Sequence, residues 1–184
     1  MNEIVTSLAR NAIMAALGLK SSFDLDDALK KYPELGQKGA SFVTINTAPS
    51  MQLRGCIGSI QAYRPLYEDI ILNAKSAALH DPRFMPLTSD DLKSIKVEVS
   101  ILSEPKEVLY KDIDDLKTKI TPFKDGVVLR YGGRGATYLP QVWEQLPDFD
   151  LFFGSLCLKA NLDQNCLSKH PEILTYQVEK YEEE

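Results

Sequence analysis

The hydrophobic positions of this chain change period several times, and each change marks a new element. Val5, Leu8, Ala9, Ala12, Ile13 and Ala16 recur at three-and-four spacing, which predicts an amino-terminal helix with Gly18 as its stop. A short second helix is expected over Leu25 to Lys31, with Pro33 following to end it. The period then falls to two. Ala40 to Thr47 and Leu53 to Ile60 read as the arms of a hairpin joined by Ala48-Pro49-Ser50-Met51. Helical spacing returns over Leu66 to Leu79, where Leu66, Ile70, Ala74, Ala77 and Ala78 line one face and Pro65 suits the first helical position.

Asp81-Pro82-Arg83-Phe84 predicts a turn, because proline drives the preceding residue out of the helical region. Thr88 and Asp91 have the spacing of a capping box for a brief helix. Ile95, Val97, Val99 and Ile101 then alternate with Lys96, Glu98 and Ser100, the signature of a half-buried strand. A weak helix is expected over Ile113 to Ile120. A second hairpin, Gly126 to Tyr131 with Ala136 to Leu139, turns around Gly132-Gly133-Arg134-Gly135. Phe149 to Ala160 reads as a helix with a large apolar face. Leu174, Tyr176 and Val178 alternate as a last strand running into a solvated acidic tail of Glu182, Glu183 and Glu184. No repeat, linker or clear domain boundary interrupts this order. Helices and hairpins mixed without a βαβ rhythm indicate an α+β fold, a mainly antiparallel sheet flanked by helices.

Composition narrows the function classes. The 184 residues are 44% hydrophobic and 26% charged, enough for a sizeable core in one domain, or in one domain with a small lobe. A net charge of −5 disfavours broad nucleic-acid binding. The three cysteines, Cys56, Cys157 and Cys166, form no CxxC pair and resemble neither a disulfide framework nor a zinc or iron–sulfur site. No carboxylate or histidine cluster has metal-ligand spacing, so no intrinsic metal or cofactor is expected. Met1-Asn2-Glu3 is not the basic start of a signal peptide, and no stretch approaches the ~18 apolar residues of a membrane span. A reduced, cytoplasmic chain is the expectation.

The candidate chemistry centres on Leu53-Arg54-Gly55-Cys56-Ile57-Gly58. Two glycines let another group approach Cys56 closely, and Arg54, two residues earlier on a strand, shares its face. A guanidinium there favours a thiolate, or binds a carboxylate or phosphate beside it. The competing reading is a glycine-marked bulge with Cys56 as a small apolar filler. Of the two histidines, His80 is the better placed as a base, and His170 sits in a turn near the carboxyl end. Asp81 is expected to fasten its own turn, Phe84 to lie in the core, and Arg83 has no such structural reason to be there. The Gly132-to-Gly135 segment matches no phosphate-binding fingerprint, which leaves Arg134 at a hairpin tip, available to an anion. Thr137 follows on the strand and completes the set of substrate-binding candidates Arg54, Arg83, Arg134 and Thr137. Trp143 is expected to pack between lobes, Cys157 to be core, and Cys166 to lack a partner.

Four ordered blocks carry a resemblance: Leu53 to Gly58; Asp81 to Phe84 with Pro86-Leu87-Thr88; Ile95 to Leu102 followed by Ser103-Glu104-Pro105; and Gly135 to Glu144. Leu156 to Ala160 also fits. Together they make the chain similar to the AMMECR-type domain family, called AmmeMemoRadiSam system protein A in prokaryotes. The resemblance spans nearly the whole chain. It implies a two-lobed α+β fold with the cysteine motif near a groove, and company with MEMO-type and radical SAM proteins. His80, preceding the Asp-Pro-Arg-Phe block, is not part of the family pattern. No reaction follows from the resemblance. The expectation is an accessory or substrate-handling subunit with an anion-friendly cleft around Cys56, taking a small molecule, a modified nucleotide or a peptide end. The alternatives are a thiol enzyme with Cys56 as nucleophile, or a scaffold without chemistry.

Overall fold

The computed structural model describes residues 2–184; Met1, where the reading against a signal peptide begins, lies outside them. Chain contacts divide it into two compact units, one of residues 1–102 with 179–184 and one of residues 103–178. The sequence shows no boundary at Ser103 because that residue begins an ordinary polar turn.

The first unit holds most of the elements. Helix α1 (Asn2–Ala16) and helix α2 (Leu25–Lys31) come first. Asp24 caps α2 by accepting from the Asp27 amide. Strands β1 (Lys38–Thr47), β2 (Leu53–Gly58) and the two-residue β3 (Arg64–Pro65) precede helix α3 (Leu66–Leu79). Pro65 occupies the cap of α3 rather than its first turn, with extended backbone at φ −52°, ψ 142°. Strand β4 is Ile95–Leu102, entered through a 3-10 turn at Asp90–Ser94. Here Thr88 donates both its amide and its hydroxyl to Asp91, so the expected box has its return arm and a one-turn helix follows. Strand β1 runs antiparallel to β2 on one side and to β4 on the other. Alternation along β1 and β4 sends Val43, Ile45, Val97 and Val99 against α1 and α3, where they form one buried cluster with Val5, Ile13, Ile70 and Ala74. Phe42, Thr44, Asn46, Lys96, Glu98 and Ser100 take the opposite sheet face.

The second unit is built from strand β5 (Lys106–Glu107), helix α4 (Ile113–Lys119), strands β6 (Gly126–Tyr131) and β7 (Arg134–Tyr138), helix α5 (Phe149–Lys159) and strand β8 (Glu172–Tyr176). Its sheet order is β5-β8-β6-β7. The β6–β7 turn places Gly132 and Gly133 at positive φ, +57° and +76°, which explains the glycines there. The core of this unit gathers Leu116, Leu129, Phe152, Phe153, Leu156 and Ile173. Trp143 belongs to it, contrary to the expected position between lobes. Its ring stacks on Phe152 at 3.6 Å and its Nε1 donates to the Asp125 carbonyl at 2.9 Å.

Three further expectations are corrected. Cys157 and Cys166 are joined in a disulfide, with Cα atoms 5.8 Å apart. After α5 the chain reverses at Asn161, whose φ is +57°, and a 3-10 turn at Cys166–Lys169 brings Cys166 back against the helix. The expected last strand is two. Strand β8 ends at Tyr176, and strand β9 (Val178–Glu182) joins the first unit's sheet beside β4. Residue 183 is not solvated. The Glu183 carboxylate binds the Arg10 guanidinium through Nε and Nη2 and accepts from the Val97 amide at 2.8 Å.

Candidate functional site

Strand β2 positions Cys56 through its glycines. A Cβ on Gly55 would lie 2.2 Å from the Ala77 carbonyl oxygen, and one on Gly58 would lie 2.2 Å from the Phe42 ring. Gly55 therefore lets β2 press against α3, which leaves Arg54 and Cys56 on the other face. There is no bulge at Cys56, which pairs in register with Thr44; the only irregularity in this pair falls between Ile45 and Asn46. Cys56 is half-buried, and it is the free cysteine among the described residues. The Thr44 hydroxyl donates to its sulfur at 3.3 Å.

Asp81 is the organiser of the site. Its side chain is 1% exposed. Oδ2 accepts from the Cys56 amide at 2.9 Å, and Oδ1 accepts from the Arg83 amide at 3.1 Å. Arg83 adds Nε to Oδ1 at 3.0 Å and Nη2 to Oδ2 at 2.7 Å, a two-point clamp. The same Nη2 reaches the Cys56 carbonyl at 3.1 Å. The hydrogen bonds from Arg83 hold the Asp81 carboxyl well below the usual carboxylate range, and the pairing raises the Arg83 guanidinium in turn. The turn-fastening expected of Asp81 is therefore present, and it extends to a neighbouring strand and an arginine. Phe84 is half-buried rather than core, with the guanidinium of Arg83 5.4 Å from its ring centre.

Arg54 shares the strand face with Cys56 but is directed to the following loop. Its Nη1 donates to the Met85 carbonyl at 2.7 Å, and Nη2 lies 4.0 Å from Asp91. Each arginine is thus matched by a carboxylate. Among the described residues, Nη1 of Arg83 has no hydrogen-bond partner, and the Arg83 side chain is 53% exposed.

The remaining candidates lie in the second unit. Arg134 donates to the Asn161 carbonyl at 2.5 Å, tying the β6–β7 turn to the end of α5. Thr137 spends its hydroxyl on the Val127 carbonyl at 2.9 Å, and the Tyr176 hydroxyl lies 3.3 Å away. Burial pushes the Tyr176 hydroxyl up to about 12, so it stays protonated beside Thr137. His80 is an exposed residue at the carboxyl end of α3, and its ring makes no hydrogen bond to Cys56. His170 stacks on Tyr110 and contacts the Tyr110 carbonyl, all within the second unit.

Beneath the site, Asp69 on α3 accepts from the Ser41 amide and hydroxyl, both at 2.8 Å, from Ser59 at 2.7 Å and from Asn73 at 2.9 Å. This buried carboxylate ties α3 to β1 and to the exit of β2. Asp69, Ser41, Ser59 and Asn73 were not legible as a group, because they meet only once β1, β2 and α3 are in register, and Thr44 was missed because it meets Cys56 only across β1 and β2.

The fold and site define an α+β protein that presents one free thiol on a sheet, beside an arginine clamped by a buried carboxylate. The chain belongs to the AMMECR1 family, whose model matches residues 6–181. It is 39% identical over 174 residues to protein LS215_2104 of Saccharolobus islandicus, an alignment covering 90% of this chain and 77% of that one. It is 40% identical over 160 residues to protein TV1384 of Thermoplasma volcanium, covering 86% and 77% respectively. The crystal structure of an uncharacterized protein, PH0010 from Pyrococcus horikoshii, is similar with a TM-score of 0.82 at 33% identity, covering all of this chain and 91% of that one. Among the described residues, no helix is long and apolar enough to cross a membrane.

Proposed function

We propose that this protein is a substrate-handling subunit that binds a small molecule bearing a carboxylate or phosphate at Arg83 and Cys56, and that it works beside radical SAM and MEMO-type proteins. The observation that carries this reading is the Asp81 bridge. One buried carboxylate holds the Cys56 amide and the Arg83 guanidinium together, leaving Arg83 Nη1 unspent and exposed next to a free thiol. Pre-ordering an arginine lowers the entropic cost of binding an anion.

Two observations favour partnership over a self-sufficient hydrolase. The Cys56 amide is already donated to Asp81, so it does not serve as an oxyanion donor. No histidine contacts the sulfur, and general acid–base help is worth ~10²–10⁴ in rate. The isolated chain is therefore expected to turn over no simple ester, peptide or phosphate. The scaffold reading has one observation of its own, namely that Asp81 already balances the charge of Arg83.

Iodoacetamide labelling of the native chain separates these readings. Cys56 is expected to label in the folded state, more slowly in Arg83→Gln, and inorganic phosphate is expected to protect it in the wild type only. A native Cys56 that labels only on unfolding would overturn the site. Hydrolysis of a substrate panel by the wild type, lost in Cys56→Ala, would show a complete enzyme. Failure to co-purify with co-expressed radical SAM and MEMO-type proteins would remove the partnership.

A further inference from the structure

We infer that the loop after α3, residues 81–86, is a cover over the free edge of β2, pinned by Asp81, and that it keeps this strand from pairing with the same strand of a second copy. Strand β2 stands at one end of the first unit's sheet, with β1 on one side and, among the described residues, no strand on the other. The Cys56 amide and carbonyl point away from β1, where an incoming strand would meet them. Asp81 accepts from that amide at 2.9 Å and Arg83 donates to that carbonyl at 3.1 Å. Two side chains thus fill the places of a neighbouring strand's carbonyl and amide. Nearer the start of β2, Arg54 reaches out to the Met85 carbonyl at 2.7 Å. The loop cannot extend the sheet in its turn, because Pro82 and Pro86 have no amide hydrogen to donate.

The two ends of the sheet explain why a cover is needed at this one. At the far end, β9 exposes Glu179, Lys180 and Glu182, charges that deter another strand. Strand β2, Leu53 to Gly58, carries a single charged residue, Arg54, so uncovered it would invite pairing. A second β2 is the strand of matching chemistry, since two copies related by a two-fold axis run antiparallel and offer each other the same groups. Asp81 is the pin because Arg83 depends on it. The bonds at 3.0 and 2.7 Å that aim the guanidinium both end on the Asp81 carboxylate, so removing it frees the Cys56 amide and carbonyl together. The loop's far end is tied separately, by the Leu87 amide on the Ala78 carbonyl at 2.8 Å. This role needs no ligand and is independent of the binding proposed above.

Sedimentation equilibrium across a concentration series tests the cover, with Cys56→Ser in every protein to exclude a disulfide between copies. Asp81→Ala and Asp81→Ser are expected to self-associate about tenfold more tightly than this background, the equivalent of one net hydrogen bond gained between copies. Asp81→Asn, whose side-chain oxygen still accepts from the residue-56 amide, should associate less than either. Hydrogen exchange locates the contact: the residue-56 amide should exchange more slowly in the associated form than in the monomer, with the amides of β4 unchanged. Asp81→Ser keeps a hydroxyl that fastens the turn, so it decides the matter where Asp81→Ala does not fold. Association of Asp81→Ser equal to that of the background overturns the inference. So does an associated form whose residue-56 amide exchanges as in the monomer, because the contact then lies elsewhere, and so does faster exchange along β4, because the association then comes from unfolding.

Discussion

At the scale of single residues, Asp81 makes a pH-dependent contribution whose sign follows from its environment. It accepts four hydrogen bonds, three of them from Arg83 and one from the Cys56 amide. Its folded carboxyl is depressed, so as pH falls the unfolded chain binds a proton first. The contribution is therefore full above about pH 5 and is lost as pH drops below ~3.9 and through the lower folded value. Asp81→Asn is expected to lose about 1–3 kcal/mol near neutral pH, with the gap to wild type closing in strong acid. Urea unfolding across a pH series measures this, and a gap that stays constant with pH would show that the charge is not what matters. Gly55→Ala is expected to cost roughly 1–3 kcal/mol or more, since its Cβ would meet a backbone carbonyl that cannot swing aside. The same melts, compared with Gly133→Ala as an open-space control that carries only backbone strain, would show the cost of that contact.

At the scale of elements, the disulfide makes a countable difference. Native protein without reductant is expected to show one titratable thiol after denaturation, and three after reduction. Cys166→Ser should destabilise the second unit by about 2–3 kcal/mol, the loop-closure entropy of a short loop, as read from calorimetry without reductant. Three free thiols in the untreated chain would contradict both. This pair also shows where sequence reading stops. The helices over Leu25 to Lys31 and Leu66 to Leu79 were legible to the residue, because their apolar spacing and stop signals are local. The strand that carries the cysteine motif was legible for the same reason. Cys157 and Cys166 were not legible as partners, because their meeting depends on a left-handed residue at Asn161 that no glycine announces. Thr44 was hidden likewise: facing Cys56 is a matter of register, set by the hairpin turn and the irregularity at Ile45 and Asn46. Splitting Leu174 to Val178 between two sheets was invisible because alternation runs unbroken through Gln177.

At the scale of the whole molecule, the first unit is completed by residues from the far end of the chain. Arg10 donates to the carbonyls of Leu92 and Ile95 as well as to Glu183, so one guanidinium joins α1, the approach to β4 and the segment after β9. Glu183→Gln is expected to cost about 1.5–3 kcal/mol, with hydrogen exchange rising along β4 and β9 and little changed in residues 103–178. Uniform exchange increases in both units would show instead that the loss is global. Deleting residues 179–184 should go further, leaving the outer edge of β4 unpaired and prone to association.

That clasp between Arg10 and Glu183 imposes an order on biosynthesis. A chain emerges from the ribosome amino end first, and its domains tend to fold as units as they appear. Residues 103–178 are contiguous and have all their strands once Tyr176 is out. Residues 1–102 emerge earlier yet must wait longer, since β4 lacks its outer neighbour and Arg10 lacks its carboxylate until Glu183 is made. The part of the chain that bears Cys56 is thus translated before residues 103–178 and finished after them. During that interval its edge strand is open to any chaperone, or to a second nascent copy, that pairs with strands.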